Sequence, residues 1–287
     1  MRAAAVLGPG LDESALNKFR LPGIEITLLK NLPREATFDA ALIFGGDGTV
    51  HHQLPVLAKT ETPLLLVPTG SGNDFAIMLG IHSRDEALAL WKNFQSGSAK
   101  IRQLDLGVIK TGDGGETLFC NVMGVGLDAA ANRLANAWPR WLRAHGGYPL
   151  AAIAAMLSAK PQKIKVLRSS EDGEWTAWLH EPATLVAVGN APSYGGGMRI
   201  TPRALADDGK LDVCFVRKCG TLRLLRLFPR VYQGGHLNLP EIEYLLTEHV
   251  RIETESPMDI YADGEYAGRI PAEIGLLPRA LRVIASA

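Results

Sequence analysis

The stretch Gly45-Gly46-Asp47-Gly48-Thr49 decides how the first part of this chain folds. It follows an apolar run, Ala40 to Phe44, and precedes a helix-like run, Val50 to Ala58. Glycine lets a backbone approach an anion closely, and the free amides at the start of a helix point towards that anion. An acidic residue inside such a turn suggests a bound cation, or a water or hydroxyl to be oriented, beside a phosphate. The pattern therefore predicts a strand, a phosphate-binding turn and a helix.

A second loop of the same kind, Pro68 to Asp74, follows the strand-like run Leu64 to Val67. In a doubly wound sheet both loops would lie at the carboxyl ends of strands, where ligands bind. Two converging glycine loops favour a nucleotide site, although each loop alone fits a tight turn with Asp74 as an N-cap equally well. Ser71 lacks the spacing of a hydrolase nucleophile, and the P-loop and G-x-G-x-x-G motifs are absent.

Length and composition exclude several classes of protein. The chain has 287 residues, which predicts about two domains at roughly 150 residues each. Its 30 basic and 30 acidic residues balance, so no overall charge attracts nucleic acid or a membrane. Three cysteines without a CxxC pair indicate a reduced, cytoplasmic protein without structural zinc. Neither a signal peptide nor an apolar run of about 18 residues is present, so we expect a soluble protein or one peripheral to the inner face of the membrane.

The pattern of apolar and turn-forming residues changes near Ser96 to Ala99, which predicts one domain over 1–97 and a second over 98–287. The first part alternates strand-like and helix-like runs, as in a parallel sheet covered by helices. Ser83 with Glu86 is a capping-box signature for a helix that runs to about Phe94. The strands expected here are Ala3 to Leu7, Ile24 to Leu29, Ala40 to Phe44 and Leu64 to Val67.

After Gly97 the apolar residues recur with a period of two, and turns rich in Gly and Asp separate most runs, which predicts a mainly antiparallel β domain with a few helices. The strands expected here are Ile101 to Ile109, Leu118 to Val122, Lys163 to Leu167, Thr184 to Val188, Leu211 to Val216, Val250 to Glu253, Met258 to Ala262 and Leu281 to Ile284.

Two acidic turns in the second domain are candidate functional sites. The stretch Ala206 to Asp212 could hold Mg²⁺ through one carboxylate, backbone carbonyls and waters, or it is a polar turn that leads into a strand. Asp263-Gly264-Glu265 follows a strand, and Asp-Gly is a strong hairpin signal. A carboxylate here acts as a general base only if the fold brings it to the reacting group.

These features, in this order, resemble the diacylglycerol kinase catalytic-domain family, which includes bacterial lipid kinases and the sphingosine and ceramide kinases. The resemblance covers most of the chain from residue 40 onward. The stretches that carry it are GGDGT at Gly45 to Thr49, PTGSGNDFA at Pro68 to Ala76, NVMGVGLDA at Asn121 to Ala129, GGGMRITPRALADDGKLDV at Gly195 to Val213, and DGE at Asp263 to Glu265.

The resemblance implies an α/β plus β protein, with an N-terminal doubly wound α/β nucleotide domain, a C-terminal antiparallel β-sandwich-like domain and an active cleft between them. It implies an ATP- and Mg²⁺-dependent kinase for a diacylglycerol-like lipid at the membrane surface. Its implied base is Glu265, with Asp263 as the second candidate, and Asp47 would orient the metal-bound phosphates. The implied nucleotide site is Gly45, Gly46, Asp47, Gly48, Thr49, Ser71 and Asn73, and the implied metal site is Asp208 with the carbonyls of Leu205 and Lys210.

Two other hypotheses stay open. NAD kinases look similar around GGDGT, so a soluble nucleotide is the alternative acceptor. A non-catalytic relative is the third reading, because Leu7-Gly8-Pro9-Gly10 replaces the family's Asn-Pro…Ser-Gly segment and His51-His52 follow the first turn. Adjacent helical positions point about 100° apart, so these histidines do not share one ion and are surface or second-shell residues.

Two stretches could rest on an anionic bilayer or be ordinary solvated helices. One holds Trp138, Arg140, Trp141 and Arg143, and the other is Leu222 to Val231 with its arginines. We expect a lipid substrate and no nucleic-acid partner, while the oligomeric state, a homodimer included, stays open.

Overall fold

The computed structural model describes residues 1–35, 38–70, 72–139, 147–158, 160–169 and 173–285. The chain forms two compact units. One comprises Met1 to Leu106 together with the segment from Pro278, and the other comprises Gly107 to Leu277, so the two long strands Lys100–Thr111 and Ala272–Ala285 each run from one unit into the other. The division thus falls about ten residues later than the composition change near residue 97, and the end of the chain returns to the first unit because Val283 pairs in parallel with Leu64.

The first unit contains a parallel sheet in the order β4-β3-β1-β2, as the alternation of runs predicts. Strands β3 and β4 are almost wholly buried, which explains their continuous apolar sequence, whereas the edge strand β2 is partly exposed. The elements are β1 (Arg2–Leu7), a 3₁₀ helix (Glu13–Phe19), β2 (Glu25–Leu29), β3 (Ala40–Gly45), α1 (Asp47–His51), α2 (Leu54–Thr60), β4 (Leu64–Pro68), α3 (Asp74–Met78), α4 (Arg84–Gln95) and β5 (Lys100–Thr111).

The single helix predicted from Val50 to Ala58 is wrong, because the chain forms two short helices, α1 and α2. Pro55 lacks an amide hydrogen and its ring clashes with the preceding turn of a helix interior, so it is tolerated only in a first turn. A new helix therefore begins at Leu54, with Pro55 in its first turn.

The capping box predicted for α4 is confirmed. The Glu86 amide donates to the Ser83 hydroxyl at 3.2 Å, and the Glu86 carboxylate accepts the His82 amide at 2.7 Å. Both ends of the helix match the sequence signals within about a residue, since it runs from Arg84 to Gln95.

The second unit is built on antiparallel strands, as predicted. Strand β9 is long: its first half pairs with β8, and its second half lies between β7 and β10. The elements are β6 (Glu116–Phe119), β7 (Val122–Gly126), α5 (Leu127–Ala137), α6 (Gly147–Ser158), β8 (Gln162–Ser169), β9 (Trp175–Gly189), β10 (Leu211–Arg217), α7 (Thr221–Tyr232), β11 (Ile242–Thr247), β12 (Val250–Thr254), β13 (Asp259–Ala262), β14 (Glu265–Arg269) and β15 (Ala272–Ala285).

The strand predicted from Leu118 to Val122 is interrupted, and β6 and β7 are separate strands. The break lies at Cys120 and Asn121, whose amides donate to the Asp263 carboxylate at 2.9 and 2.8 Å. These amides therefore donate hydrogen bonds to a side chain instead of to a neighbouring strand.

A helical layer formed by α5, α6 and α7 lies against one face of the second unit's strands. Side chains of β7, β9 and β10 form an apolar cluster with partly buried residues of these helices, including Leu127, Tyr148 and Phe228. Helix α6 covers the longest apolar run of the sequence. In the part of the chain that the structure describes, no helix has both the length and the apolarity needed to cross a bilayer.

Candidate active site

Three loops leave the same edge of the first unit's parallel sheet. Leu7 at the end of β1 pairs with Phe44 of β3, and Gly45 pairs with Pro68 at the end of β4, so the chain turns at Gly8, Gly46 and Thr69 lie side by side. The strand order reverses direction between β1 and β3, and the carboxyl edge at such a switch point is where open α/β sheets bind ligands. The convergence predicted for the two glycine loops is confirmed within this unit.

The two glycine loops touch through their backbones. The Thr69 amide donates to the Gly45 carbonyl at 3.0 Å. A Cβ on Gly70 would lie 2.6 Å from the Gly46 Cα, and a Cβ on Gly46 would lie 3.1 Å from the Gly70 Cα. Only glycine at both positions lets the loops come this close. Residue type is therefore dictated by packing here, before any ligand is considered.

Asp47 joins the first loop to the second. Its two carboxylate oxygens accept the amides of Asp74 and Phe75 at 3.2 and 3.0 Å, so Asp47 caps α3 from outside. The reading in which Asp74 is an N-cap is wrong, because Asp74 is the first residue of α3 and its own amide is the one capped. Asp47 therefore fixes the relation between the loops that the resemblance assigns to phosphate.

Asn73 closes the second loop on itself. It adopts a left-handed backbone (φ 52°), and its side-chain amide exchanges two hydrogen bonds with Gly70, at 3.0 and 2.8 Å. Ser71, the other residue assigned to the nucleotide in this loop, lies outside the described residues. His51 is buried and His52 is exposed, with their rings 5.8 Å apart.

Asp263 and Glu265 have different environments in the second unit. The hairpin predicted for Asp263-Gly264 is confirmed, with φ angles of 51° and 88° that suit a tight turn. Asp263 is buried and its two oxygens receive the amides of Asn121 and Cys120. Glu265 is half-buried; its backbone pairs with Ala262 in the hairpin, and its carboxylate forms no hydrogen bond or ion pair with any of the described residues. The Asp263 carboxylate is thus occupied by two backbone amides, whereas the Glu265 carboxylate has no such partner among the described residues.

The acidic turn before β10 holds the implied metal residues. The Asp208 carboxylate accepts the Lys210 amide at 2.9 Å, and the Lys210 ammonium donates to Glu248 at 2.6 Å. The described residues contain no group of three His, Cys, Asp or Glu side chains placed to hold a metal. A cation here would be bound by one carboxylate, the Leu205 and Lys210 carbonyls and waters, a hard oxygen set that fits Mg²⁺.

Asp212, four residues after Asp208, was not singled out from the sequence as a functional residue. It is buried, and its Oδ2 has no hydrogen-bond partner among the described residues. Burial raises its pKa to about 6, and the nearby Tyr244 hydroxyl opposes the shift. A buried acid that holds a proton up to mildly acidic pH is a feature of functional sites more often than of structural ones.

A cavity of about 80 Å³ lies between the strands of the second unit and helices α5, α6 and α7. Its wall is mostly apolar, with side chains from β9, β10 and all three helices; among them are Leu127, Met156, Leu185, Leu224, Leu227 and Phe228. Sequence reasoning missed this cavity, because its lining residues are far apart along the chain.

Asp128 is one of the polar residues in the cavity wall. Asp128, in the first turn of α5, is 4% exposed and forms hydrogen bonds with the Tyr148 hydroxyl and, at 3.2 Å, with the Asn132 amide. Burial raises the pKa of Asp128 to about 6, against the opposing effect of hydrogen bonds from Tyr148, Tyr194 and Asn132. Gly124 is the sequence feature that reflects the position of Asp128, because a Cβ on residue 124 would lie 2.1 Å from the Asp128 carboxylate.

Solved structures share this fold. A putative diacylglycerol kinase from Bacillus anthracis matches with a TM-score of 0.74 at 24% identity, covering 99% of this chain and 97% of that one. Yeast NADH kinase matches with a TM-score of 0.60 at 13% identity, covering 100% and 84% of the two chains. The chain therefore has the two-part architecture common to diacylglycerol kinases and NAD kinases, with an α/β part and a β-sandwich-like part.

Family models and curated relatives narrow the class. The diacylglycerol kinase catalytic domain matches residues 13–116, and the YegS C-terminal NAD kinase beta sandwich-like domain matches residues 121–285. Diacylglycerol kinase of Mycobacterium tuberculosis is 35% identical over 246 residues, which are 86% of this chain and 76% of the relative. A probable lipid kinase YegS-like protein of Chromohalobacter salexigens is 29% identical, with the same two coverages. The chain belongs to the diacylglycerol kinase catalytic-domain family, and thus to the lipid kinases.

Proposed function

We propose that this protein is an ATP- and Mg²⁺-dependent kinase that transfers a phosphoryl group to a hydroxyl of a diacylglycerol-like lipid. The observation that carries the proposal is the apolar cavity of the second unit, with the buried Asp128 and the partly buried Tyr148 in its wall. Cavities lined by apolar side chains with a few converging polar groups are typical binding sites for small apolar molecules. A soluble nucleotide acceptor would not need such a lining.

The loops of the first unit support the donor half of the reaction. Phosphoryl transfer needs positioning and neutralisation of charge more than covalent chemistry. The backbone of Gly45 to Thr49 would offer amides to the phosphates. The two hydrogen bonds that Asp47 accepts from Asp74 and Phe75, here called the Asp47 clamp, hold that turn against the second loop. Mg²⁺ would neutralise charge on the transferred group when it is bound. Asp208 is the carboxylate that we assign to it.

Glu265 is the base of the proposed reaction. Its carboxylate would receive the proton of the lipid hydroxyl as the bond to phosphorus forms, and Asp263 would hold the turn on which Glu265 stands. The proposed reaction depends both on the phosphate-binding loops and on Glu265. Removing the function of either should therefore stop transfer.

The acceptor's apolar part would occupy the cavity. The side chains of α6 and α7 that line the cavity would contact the acyl chain. The Asp128 and Tyr148 oxygens could accept a hydrogen bond from a glycerol hydroxyl, because the one hydroxyl hydrogen of Tyr148 is already donated to Asp128. These polar side chains would determine which hydroxyl of the lipid receives the phosphoryl group.

The decisive experiment measures transfer from γ-labelled ATP to a panel of acceptors: diacylglycerol, sphingosine, ceramide and NAD. We expect label in diacylglycerol, none without Mg²⁺, and loss of transfer in Glu265→Gln. Glu116→Gln, an exposed glutamate on β6, is the matched control and should keep full activity. Label in NAD alone would replace the proposal with the NAD-kinase alternative. ATP binding without transfer to any acceptor would favour a non-catalytic relative.

The metal assignment has its own pair of variants. Asp208→Asn should raise the Mg²⁺ concentration needed for half-maximal activity, because a charged ligand is lost. Lys210→Met should leave that concentration nearly unchanged, because only the Lys210 carbonyl would bind the cation while its ammonium pairs with Glu248. Equal behaviour of the two variants would contradict the assignment.

A further inference from the structure

Helix α6 exposes an apolar stripe to solvent. Leu150, Ile153 and Leu157 are 50%, 37% and 67% exposed, and their spacing of three and four residues puts them on one face. The opposite face, with Ala151, Ala152, Ala155 and Met156, is buried. The whole helix carries no charged residue. An ordinary solvated helix places charge on its outer face, so the exposed stripe of α6 is unexplained by folding alone.

Helix α7, which packs beside α6, adds positive charge next to that stripe. Its exposed face carries Leu222, which is 75% exposed, together with Arg223, Arg226 and Arg230. Arg223 is paired with Glu241 at 2.8 Å. Arg226 and Arg230 form no ion pair with any side chain in the described part of the chain. Neither helix contains an acidic residue, so the charge of the pair is entirely positive.

We propose that the outer faces of α6 and α7 form a docking surface for an anionic bilayer. Leu150, Ile153, Leu157 and Leu222 would enter the interfacial layer, while Arg226 and Arg230 bind lipid phosphates. Apolar residues beside unpaired arginines are the composition of helices that lie in a membrane interface. A purely apolar protein partner would not use the arginines, and nucleic acid would not use the leucines.

The same two helices line the cavity with their inner faces, through Tyr148, Ala152 and Met156 of α6 and Leu224 and Phe228 of α7. This part of the inference rests on the proposed lipid-kinase function. A bilayer on the outer faces would lie one helix diameter from the proposed acyl site. The acceptor would then reach the cavity from the membrane instead of from water.

The test separates membrane binding from catalysis. Sedimentation with vesicles of phosphatidylcholine alone, and of phosphatidylcholine and phosphatidylglycerol in equal parts, measures binding without turnover. We expect the wild type to prefer the anionic vesicles, R226Q/R230Q to lose about fivefold of that affinity per arginine, and L150S/L157S to lose tenfold or more on both. None of these four side chains lines the cavity, so transfer to monomeric dioctanoylglycerol should be unchanged.

Two variants of matched type serve as controls. K163Q/R168Q removes two exposed cations from β8, and L28S removes an exposed leucine from β2. Both should bind vesicles like the wild type. Wild-type binding by L150S/L157S, equal loss in the controls, or a dimer in lipid-free solution that L150S/L157S dissociates would overturn the proposal. Failure of transfer to every lipid would refute the kinase function, whereas the docking proposal is decided by vesicle binding alone.

Discussion

At the scale of single residues, Asp263 and Glu265 divide two roles that sequence spacing could not separate. Asp263 is occupied by the amides of Cys120 and Asn121, and its turn fixes where β14 begins. The Glu265 carboxylate accepts no such hydrogen bond from the described residues. The pair of variants Glu265→Gln and Asp263→Asn tests this division.

Glu265→Gln should abolish transfer and leave the free energy of unfolding within about 0.5 kcal/mol of wild type. Asp263→Asn should lower the free energy of unfolding by about 1–3 kcal/mol, because an amide group can satisfy only one of the two buried N–H groups. Kinase assays and urea unfolding of both proteins measure the two quantities. Full activity in Glu265→Gln would remove that residue from the role of base.

A second residue-scale prediction concerns Asp128 and pH. Its pKa is about 6 in the folded protein and 3.8 in the unfolded chain, so between those values the folded state binds more protons. The stability contributed by this group is therefore fully present below about pH 4 and is lost as pH rises through about 6. The loss is on the order of 3 kcal/mol at neutral pH.

Asp128→Asn cannot ionise and keeps an oxygen for the Tyr148 hydroxyl. We expect it to be more stable than wild type at about pH 8 and nearly equal to it at about pH 3.5, below the pKa of the unfolded chain. Urea unfolding at both pH values measures the difference. Some dependence on pH should remain in the variant, since burial also raises the pKa of Asp212 to about 6. The same difference at both pH values would mean that Asp128 is already neutral or already solvated.

At the scale of elements, the clearest local prediction is the cap of α4. Ser83→Ala should lower the free energy of unfolding by about 1 kcal/mol, because the Glu86 amide loses its acceptor. Ser83→Asp keeps an acceptor at the same position and should be neutral or slightly stabilising, since a negative charge is favourable at a helix N-terminus. Thermal unfolding of the three proteins gives the comparison, and equal loss in both variants would show that the cap contributes nothing.

Elements were predictable where their causes are local. The capping box spans four residues, and the four strands of the parallel sheet are visible as short apolar runs. Pro55 also carried the information that divides α1 from α2. The break between β6 and β7 was not readable, because the acceptor of the two amides there is Asp263, 143 residues away from Cys120.

Site residues follow the same rule. The glycine turns were recognisable, but the cap that Asp47 places on α3 links positions 27 residues apart, and no spacing rule predicts it. The cavity depends on three helices and three strands that meet only in the fold. Gly124 carried a hint of Asp128, yet a glycine just before a helix is equally typical of an ordinary turn.

At the scale of the whole molecule, bound nucleotide should stabilise the protein. A ligand that binds only the folded state at about 100 times its Kd adds about 2.7 kcal/mol. Mg²⁺-ATP should therefore raise the Tm of the wild type, and NAD should not. In Asp47→Ala the increase should largely vanish, and the ligand-free protein should lose about 1–2 kcal/mol because the α3 amides are uncapped.

Asp85→Ala is the matched control, since Asp85 is exposed on α4 and pairs only loosely with Lys18. It should respond to Mg²⁺-ATP like the wild type. Stabilisation by NAD in place of ATP would point to the soluble-nucleotide alternative. If Mg²⁺-ATP raised the Tm of Asp47→Ala as much as that of the wild type, the Asp47 clamp would not be needed for nucleotide binding.

The contact between Gly46 and Gly70 limits how this chain can vary under selection. A new Cβ at either position meets the other's Cα, and no second mutation can make a backbone smaller. A genetic screen for suppressors of Gly70→Ala should therefore return true revertants. Gly107 offers the contrast, because a Cβ there would meet the Phe119 ring at 2.1 Å, and Gly107→Ala should be rescued by a smaller residue at Phe119. Two crowded glycines thus differ in whether a second mutation can make room for a larger residue.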